Sequence, residues 1–254
     1  MTERKRKPKF DTKNETPAVA AEIGKRKFSK ASLVNFKPLT VNQKLLVEAI
    51  IDESPAVVSA LGAAGSGKTF VAVYMALLDV FDSSSPREKI IIIRSAVESR
   101  GIGFLKGSQE EKEAVYELPY KPLLAQMLKT ERGTCVKDGY DHLKAQGVIE
   151  FATTSFLRGL TFDNAFVIFD ECQNADFDEL STVVERMGVN SKLVLCGDSA
   201  QNDLKRKRED SGLTKVISVL EKIPAFYEGV KFTYSDCVRS PFVKAWLQAK
   251  DSVG

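Results

Sequence analysis

Histidine is almost missing from this chain of 254 residues: His142 is the only one. A Ser-His-Asp relay or a His-rich zinc site therefore has almost nothing to be built from, and His142, in a helix-like stretch, reads most simply as a surface residue. Cysteine is scarce too. Cys135, Cys172, Cys196 and Cys237 are far apart, and two of them fall within apolar or motif-bearing segments. That pattern argues for free thiols in a reducing compartment and against a disulfide framework. No run of about 18 apolar residues is available to span a bilayer, and the basic N-terminus has no apolar stretch behind it of the kind an export signal needs. The expectation is a soluble, cytoplasmic protein with no membrane partner.

What is there begins with a hydrophobic content of 43%, enough for one substantial α/β core and too little length for two full domains. The net charge of +3 conceals an uneven distribution. Residues 1–37 hold 11 Lys/Arg against 4 Asp/Glu, and the remainder holds 26 against 30. With few apolar residues before Ala31, this basic segment is expected to be a disordered tail. It reads either as a solubilising tail or as an arm binding nucleic acid through its phosphates. Residues 38–254 form the single folded domain.

Within that domain, Leu39, Leu45, Leu46, Ala49 and Ile50 have helical spacing up to about Ile51. A first strand follows Pro55. Further strand candidates are Ile90–Ile93, Val148–Ala152, Ala165–Phe169, Leu193–Cys196 and Val230–Tyr234, most of them continuous apolar runs of the kind found in parallel strands buried on both faces. Helical stretches at Phe70–Phe81, Tyr120–Leu128 and Asp178–Met187 alternate with them. The pattern predicts a doubly wound, mostly parallel α/β sheet with one core.

The most specific signal is Gly62-Ala63-Ala64-Gly65-Ser66-Gly67-Lys68-Thr69, between the first strand and a helix. Its glycines let the chain come close to a polyphosphate with successive N–H groups directed at the oxygens, and the helix beginning near Lys68 adds a positive dipole end. Lys68 would meet the β- and γ-phosphates, and Thr69 would take one position on Mg²⁺. A bland glycine turn would need neither residue. This is a Walker A loop.

Ala165–Phe169 runs into Asp170 and Glu171 at the carboxyl edge of the sheet, where open α/β sheets bind ligands. In a Walker B role, Asp170 would hold Mg²⁺ through its water shell and Glu171 would act as general base toward the attacking water. A third strand delivers Gly197, Asp198, Gln201 and Asp203 to the same edge. Gln201 is suited to sensing the γ-phosphate, since an amide donates and accepts at once; the alternative is a simple Gly-Asp turn. Arg239 reads as an arginine finger, reaching the ATP of a neighbouring subunit, or as a structural ion pair. Gln43 is placed to read adenine, although an exposed helical glutamine is common. No Asn-Lys-x-Asp motif is present, so ATP is favoured over GTP.

Together with these elements, Arg94-Ser-Ala-Val-Glu98, Gly103-Phe-Leu-Lys-Gly107, Glu111-Lys112, Leu118-Pro119, Leu157-Arg-Gly159, Asp170-Glu-Cys-Gln-Asn174, Gly197-Asp198, Asp203-Leu204, Ser211-Gly-Leu213 and Val238-Arg239 resemble the PhoH family of P-loop ATPases, relatives of the superfamily 1 helicase core. The resemblance covers about residues 39–250. It implies a RecA-like P-loop fold, ATP and Mg²⁺ as ligands, a homo-oligomeric ring, often hexameric, and a link to single-stranded nucleic acid, RNA above all. It also implies that Arg94 to Gly107 lies where helicases contact nucleic acid and that Arg158 lies near the nucleotide. The chain departs from the family pattern at Cys172, where Ala is common after Asp-Glu, across Ala175 to Leu180, and at Lys205-Arg-Lys-Arg208, where a proline is usual. That basic cluster reads as a solvated loop or as a backbone contact near the ATP site. No nuclease activity is implied.

Three functions follow from these observations: an ATPase coupled to nucleic-acid binding or remodelling, a ring-forming regulatory protein with slow turnover, and a P-loop kinase. The kinase lacks any signature of an acceptor pocket. With one RecA-like core visible, helicase action would have to come from oligomerisation.

Overall fold

Strands that are apolar at every position, instead of every second one, must be covered on both sides. In the computed structural model, which describes residues 27–95, 114–157, 159–198 and 212–253, they are. Six strands, β1 (Val57–Gly62), β2 (Lys89–Arg94), β3 (Ile149–Thr153), β4 (Ala165–Asp170), β5 (Lys192–Gly197) and β6 (Tyr227–Phe232), form one sheet in the order β3-β2-β4-β5-β1-β6. Every pairing is parallel. This is the doubly wound parallel arrangement that the apolar runs predict, consistent with the RecA-like P-loop fold that the resemblance implies.

Alternate residues go to opposite faces. Val58, Ala60, Ile90, Ile92, Phe166, Ile168, Val194 and Cys196 pack under α1 (Val41–Ile51), α2 (Lys68–Val80), α3 (Tyr120–Ala125) and α4 (Gly139–Ala145). Val57, Ile91, Ile93, Val167, Phe169, Leu193 and Leu195 pack under α5 (Phe177–Glu185) and α6 (Leu213–Leu220). Helix α2 is buried at every position from Val71 to Leu77, as expected of a helix that is apolar on all sides. At the amino edge of the sheet, Arg87 bonds Glu53 at 2.6 Å and also Asp79. There Lys192 donates to the carbonyl of Ile50 at 2.8 Å, near the C-terminus of α1, where a cation is favoured.

Several expectations shift. The last strand is β6 at Tyr227–Phe232, not Val230–Tyr234, because Tyr227, Glu228 and Gly229 pair with Val57, Val58 and Ser59 along an edge. An edge strand exposes Glu228 and Lys231 and so shows no apolar run. Helix α3 ends at Ala125, and Leu128 instead bridges Leu33. Residues 28–36, assigned by composition to the tail, lie on the core. Val34 donates to the Met127 carbonyl at 2.8 Å, Tyr74 donates to the Val34 carbonyl at 2.7 Å, and the Phe36 ring lies 5.4 Å from that of Phe70. Residues 1–26 of the basic tail lie outside the described residues.

His142 is not a surface residue. It is buried on α4, with Nδ1 3.0 Å from the Asp138 carbonyl and its ring edge-on to Phe28. A seven-residue helix gives too little periodicity to show which face is inside. The helices α4, α6 and α7 (Pro241–Val253) were not anticipated as elements. All four cysteines are free thiols, three of them buried. No helix of the described residues is long and apolar enough to cross a membrane.

Candidate functional site

Strand order decides what surrounds the phosphate loop. The loop leaves β1, whose neighbours are β5 and β6, and β4 lies one strand further on. The ends of β4, β5 and β6 therefore converge on one cleft of about 280 Å³, lined by Gly65, Gly67, Lys68, Thr69, Asp170, Glu171, Asp198 and Arg239 among others.

The loop is shaped by backbone that only glycine adopts freely. Gly62 has φ 126°, and a Cβ there would lie 1.9 Å from the Phe232 carbonyl oxygen of β6. Gly67 has φ 81° and opens α2 with no side-chain cap on the first turn, so the helix's positive end faces the cleft. Ser66, fully buried, donates to the Ala63 carbonyl at 2.8 Å. Lys68 folds over the loop and donates to the carbonyls of Gly62 and Ala63, both at 2.8 Å, with Phe232 beneath it at 5.9 Å. Burial lowers the Lys68 pKa from its ordinary value, opposed by Asp198, Cys196, Glu171 and Asp170.

Asp170 continues the Phe166–Ile168 row of β4, which places its carboxylate on the α2 side of the sheet. There Thr69 donates to Oδ1 at 2.7 Å and Tyr120 donates to Oδ2 at 2.8 Å. A strand would send the next side chain to the other face. The chain instead turns at Glu171, which has left-handed backbone (φ 53°, ψ 37°) and so keeps its carboxylate on the cleft. For a residue other than glycine this conformation costs on the order of 1–2 kcal/mol. Gln173, 1% exposed, bridges the next strand: its amide NH₂ donates to Glu171 Oε2 at 2.6 Å, and its carbonyl accepts from the Asp198 backbone N–H at 2.9 Å.

Two expected site residues take unexpected positions. Gln43 is buried, not exposed; its amide oxygen accepts from the Leu39 N–H at 2.8 Å and its NH₂ donates to the Ser66 carbonyl at 2.8 Å. It holds the phosphate loop. Arg239, placed by sequence reasoning on a neighbouring subunit's ATP, lines the cleft of its own chain. The Val238 N–H donates to the Gly65 carbonyl at 3.0 Å, and Asn42 of α1 donates to Asp236 at 2.7 Å, so the segment leading into Arg239 is fastened to the loop at Val238 and to α1 at Asp236. Burial raises the thiol pKa values of Cys172 and Cys196, with the nearby carboxylates adding to it, so neither is a reactive nucleophile.

Gln201, Arg158, the segment from Ala96 to Gly107 and the Lys205–Arg208 cluster lie outside the described residues. In the described part of the segment expected to meet nucleic acid, Ser95 is buried and its hydroxyl meets the Glu179 carboxylate at 3.2 Å, which joins the end of β2 to α5. Sequence reasoning missed Tyr120 and Gln173 as contacts of the two carboxylates. Gln173 stood within the Asp-Glu-Cys-Gln-Asn motif, whereas no local pattern marks Tyr120.

The oxygen donors suit a small hard cation. Mg²⁺ takes few protein ligands, commonly a hydroxyl or carboxylate alongside phosphate and water, and Thr69 and Asp170 offer both within one hydrogen bond of each other.

A family model described as PhoH-like protein matches residues 35–251. Similar proteins include the PhoH-like protein of Synechocystis sp., 34% identical over 214 residues, which covers 83% of this chain and 60% of that protein. The PhoH-like protein of Mycobacterium leprae is 35% identical over 192 residues, 75% of this chain and 52% of that protein. Protein PhoH of Escherichia coli is 32% identical over 199 residues, with 78% and 53% covered. The chain thus spans a little over half the length of these relatives.

Proposed function

The chain belongs to the PhoH-like protein family, generally a family of P-loop ATPases, and from that membership and the site geometry we propose that it binds ATP with Mg²⁺ and hydrolyses it. The observation that carries this reading is the Thr69–Asp170 hydrogen bond of 2.7 Å, which joins the phosphate loop to the strand bearing the acidic pair. A loop that only bound phosphate would not need the pair.

Lys68 exchanges its two loop carbonyls for phosphate oxygens, and the N–H groups opening α2 bind the same anion. Thr69 and Asp170 would hold Mg²⁺, which would supply charge neutralisation on the phosphates when bound. Glu171 accepts the proton of the attacking water, oriented by Gln173 through one carboxylate oxygen and free to use the other. Arg239 neutralises charge on the transferring phosphoryl within its own subunit. Gln201 senses the γ-phosphate. Gln43 acts by holding the loop at Ser66; reading of adenine by the same amide remains the alternative.

Coupling to single-stranded RNA is supported by the family membership and by the basic residues 1–37. Assembly into a ring is supported by exposed apolar side chains on α7 and at the start of α1, where Phe242 is 75% exposed, Trp246 62% and Val41 74%.

The test is phosphate release from ATP by the full chain and by Lys68→Ala, with and without single-stranded RNA or DNA across a salt series. The expected result is Mg²⁺-dependent release, lost in Lys68→Ala and stimulated by RNA in a salt-sensitive way. Release that is unaffected by Lys68→Ala overturns the assignment. Transfer of labelled γ-phosphate to an acceptor would establish a kinase instead. Turnover without any nucleic-acid response, together with ATP-dependent assembly in light scattering, would establish the slow ring-forming regulator.

A further inference from the structure

Tyr120 has no part in the roles assigned above, yet it contacts the cation-holding carboxylate directly. Its ring lies tilted against Phe151 of β3, 6.0 Å between centroids, and its hydroxyl reaches past β2 to Asp170 Oδ2 on β4 at 2.8 Å. The side chain is 1% exposed. A phenylalanine would fill the same space against Phe151, so packing does not explain the oxygen. A buried hydroxyl must be bonded, and Asp170 is its partner.

The chemistry follows from how a carboxylate rotates. The torsion that turns the plane of an aspartate carboxylate is broad and weakly restrained. One donor, Thr69 on Oδ1, fixes one oxygen and leaves that plane free to swing about it. A second donor on the opposite oxygen, fixed to a buried ring that does not move, removes this freedom. Hydrogen bonds to an ionised acceptor are the stronger kind, and groups behind a metal ligand orient it and tune its affinity.

We propose that Tyr120 is a positioning residue for the divalent cation: its hydroxyl on Oδ2 fixes the Asp170 carboxylate plane and reserves Oδ1 for the cation and its water. The proposal rests on the nucleotide reading above. It also gives α3 a role in the site that no sequence motif marks.

The test is binding of a non-hydrolysable ATP analogue to the full chain, followed by calorimetry in EDTA and at increasing Mg²⁺, for wild type and Tyr120→Phe. Tyr120→Met is a second variant without the hydroxyl should the first not fold. In EDTA the variant is expected to bind as wild type does, while the Mg²⁺ concentration for half-maximal enhancement rises about tenfold. A half-point within twofold of wild type in a folded variant overturns the proposal. So does an equal loss in EDTA and in Mg²⁺, which would make Tyr120 a support of the whole loop. If Mg²⁺ has no effect on binding by the wild type, the nucleotide reading itself fails, and the result is distinct from either of those.

Discussion

The Val238 N–H donates to the Gly65 carbonyl at 3.0 Å, so the segment that carries Arg239 is fastened to the phosphate loop of its own chain. The hydrogen bond runs between peptide groups and does not depend on either side chain. It anchors the residue before Arg239 to the loop that leads into Lys68, and both side chains line one cleft.

A finger supplied within the subunit has a distinct signature. Arg239→Ala is expected to lower turnover by about 10³-fold, and mixing wild-type with Arg239→Ala protein should reduce activity only in proportion to the mutant fraction. A loss steeper than dilution would show that the arginine acts on a neighbour. Arg239→Lys should recover little, because a point charge does not reproduce the guanidinium fork.

Glu171 and Gln173 should separate chemistry from binding. Glu171→Gln is expected to lower kcat by about 10²–10⁴-fold, the range for a lost general base, and to leave binding of the ATP analogue within severalfold of wild type. Gln173→Met removes the partner of Glu171 Oε2 and of the Asp198 N–H. A smaller fall in kcat is expected, with a stability loss of about 1–3 kcal/mol from the unsatisfied buried groups. Single-turnover kinetics and denaturant unfolding measure the two effects.

Gln43 offers a test of base selection against loop support. Because its amide is bonded to Leu39 and Ser66, Gln43→Ala is expected to weaken ATP and GTP analogues by the same factor, roughly threefold to tenfold for one or two lost neutral hydrogen bonds. A loss confined to ATP would mean that the amide reads adenine. Competition binding with the two nucleotides decides between them.

Acid should destabilise the fold through two carboxyls, Glu53 at the amino edge of the sheet and Asp236 in the segment that precedes Arg239. The Arg87 hydrogen bond holds the Glu53 carboxyl below its ordinary value of 4.5. Burial pushes Asp236 upward, but hydrogen bonds from Thr233 and Asn42 outweigh it and leave that carboxyl below 3.8. A depressed folded-state pKa contributes stability above the unfolded value and loses it as pH falls through the folded value. Tm is therefore expected to fall steadily below about pH 4.5. Arg87→Met should reduce that slope and cost about 2–4 kcal/mol at neutral pH, the Glu53 side of the pair being discounted for its exposure. Thermal unfolding from pH 3 to 7 checks both.

Local signals carried a large part of this reading. Gly62 to Thr69 is contiguous, so its chemistry needs no tertiary information, and β2, β4 and β5 announce themselves because a strand covered on both faces is apolar throughout. Edge strand β6 was placed three residues late because one side of it faces water. His142 was read as exposed because a short helix gives no reliable face. The sequence offers Gln43 as a reader of adenine or an exposed helical residue, and not as a support of the loop, because its partner, the Ser66 carbonyl, is a backbone group that no side-chain pattern reveals.

The sequence by itself therefore determined the α/β class, the phosphate loop and the acidic pair at the end of β4, since each depends on neighbours along the chain. Tertiary structure decided the rest. The position of β6 beside β1 brings Arg239 to its own loop, and the position of β5 between β1 and β4 lets Gln173 join Glu171 to Asp198. The position of β3 beyond β2 seats Tyr120 against Phe151 with its hydroxyl on Asp170. Hydrophobic periodicity specifies which faces are buried but not the order in which strands pair, and that order sets these contacts.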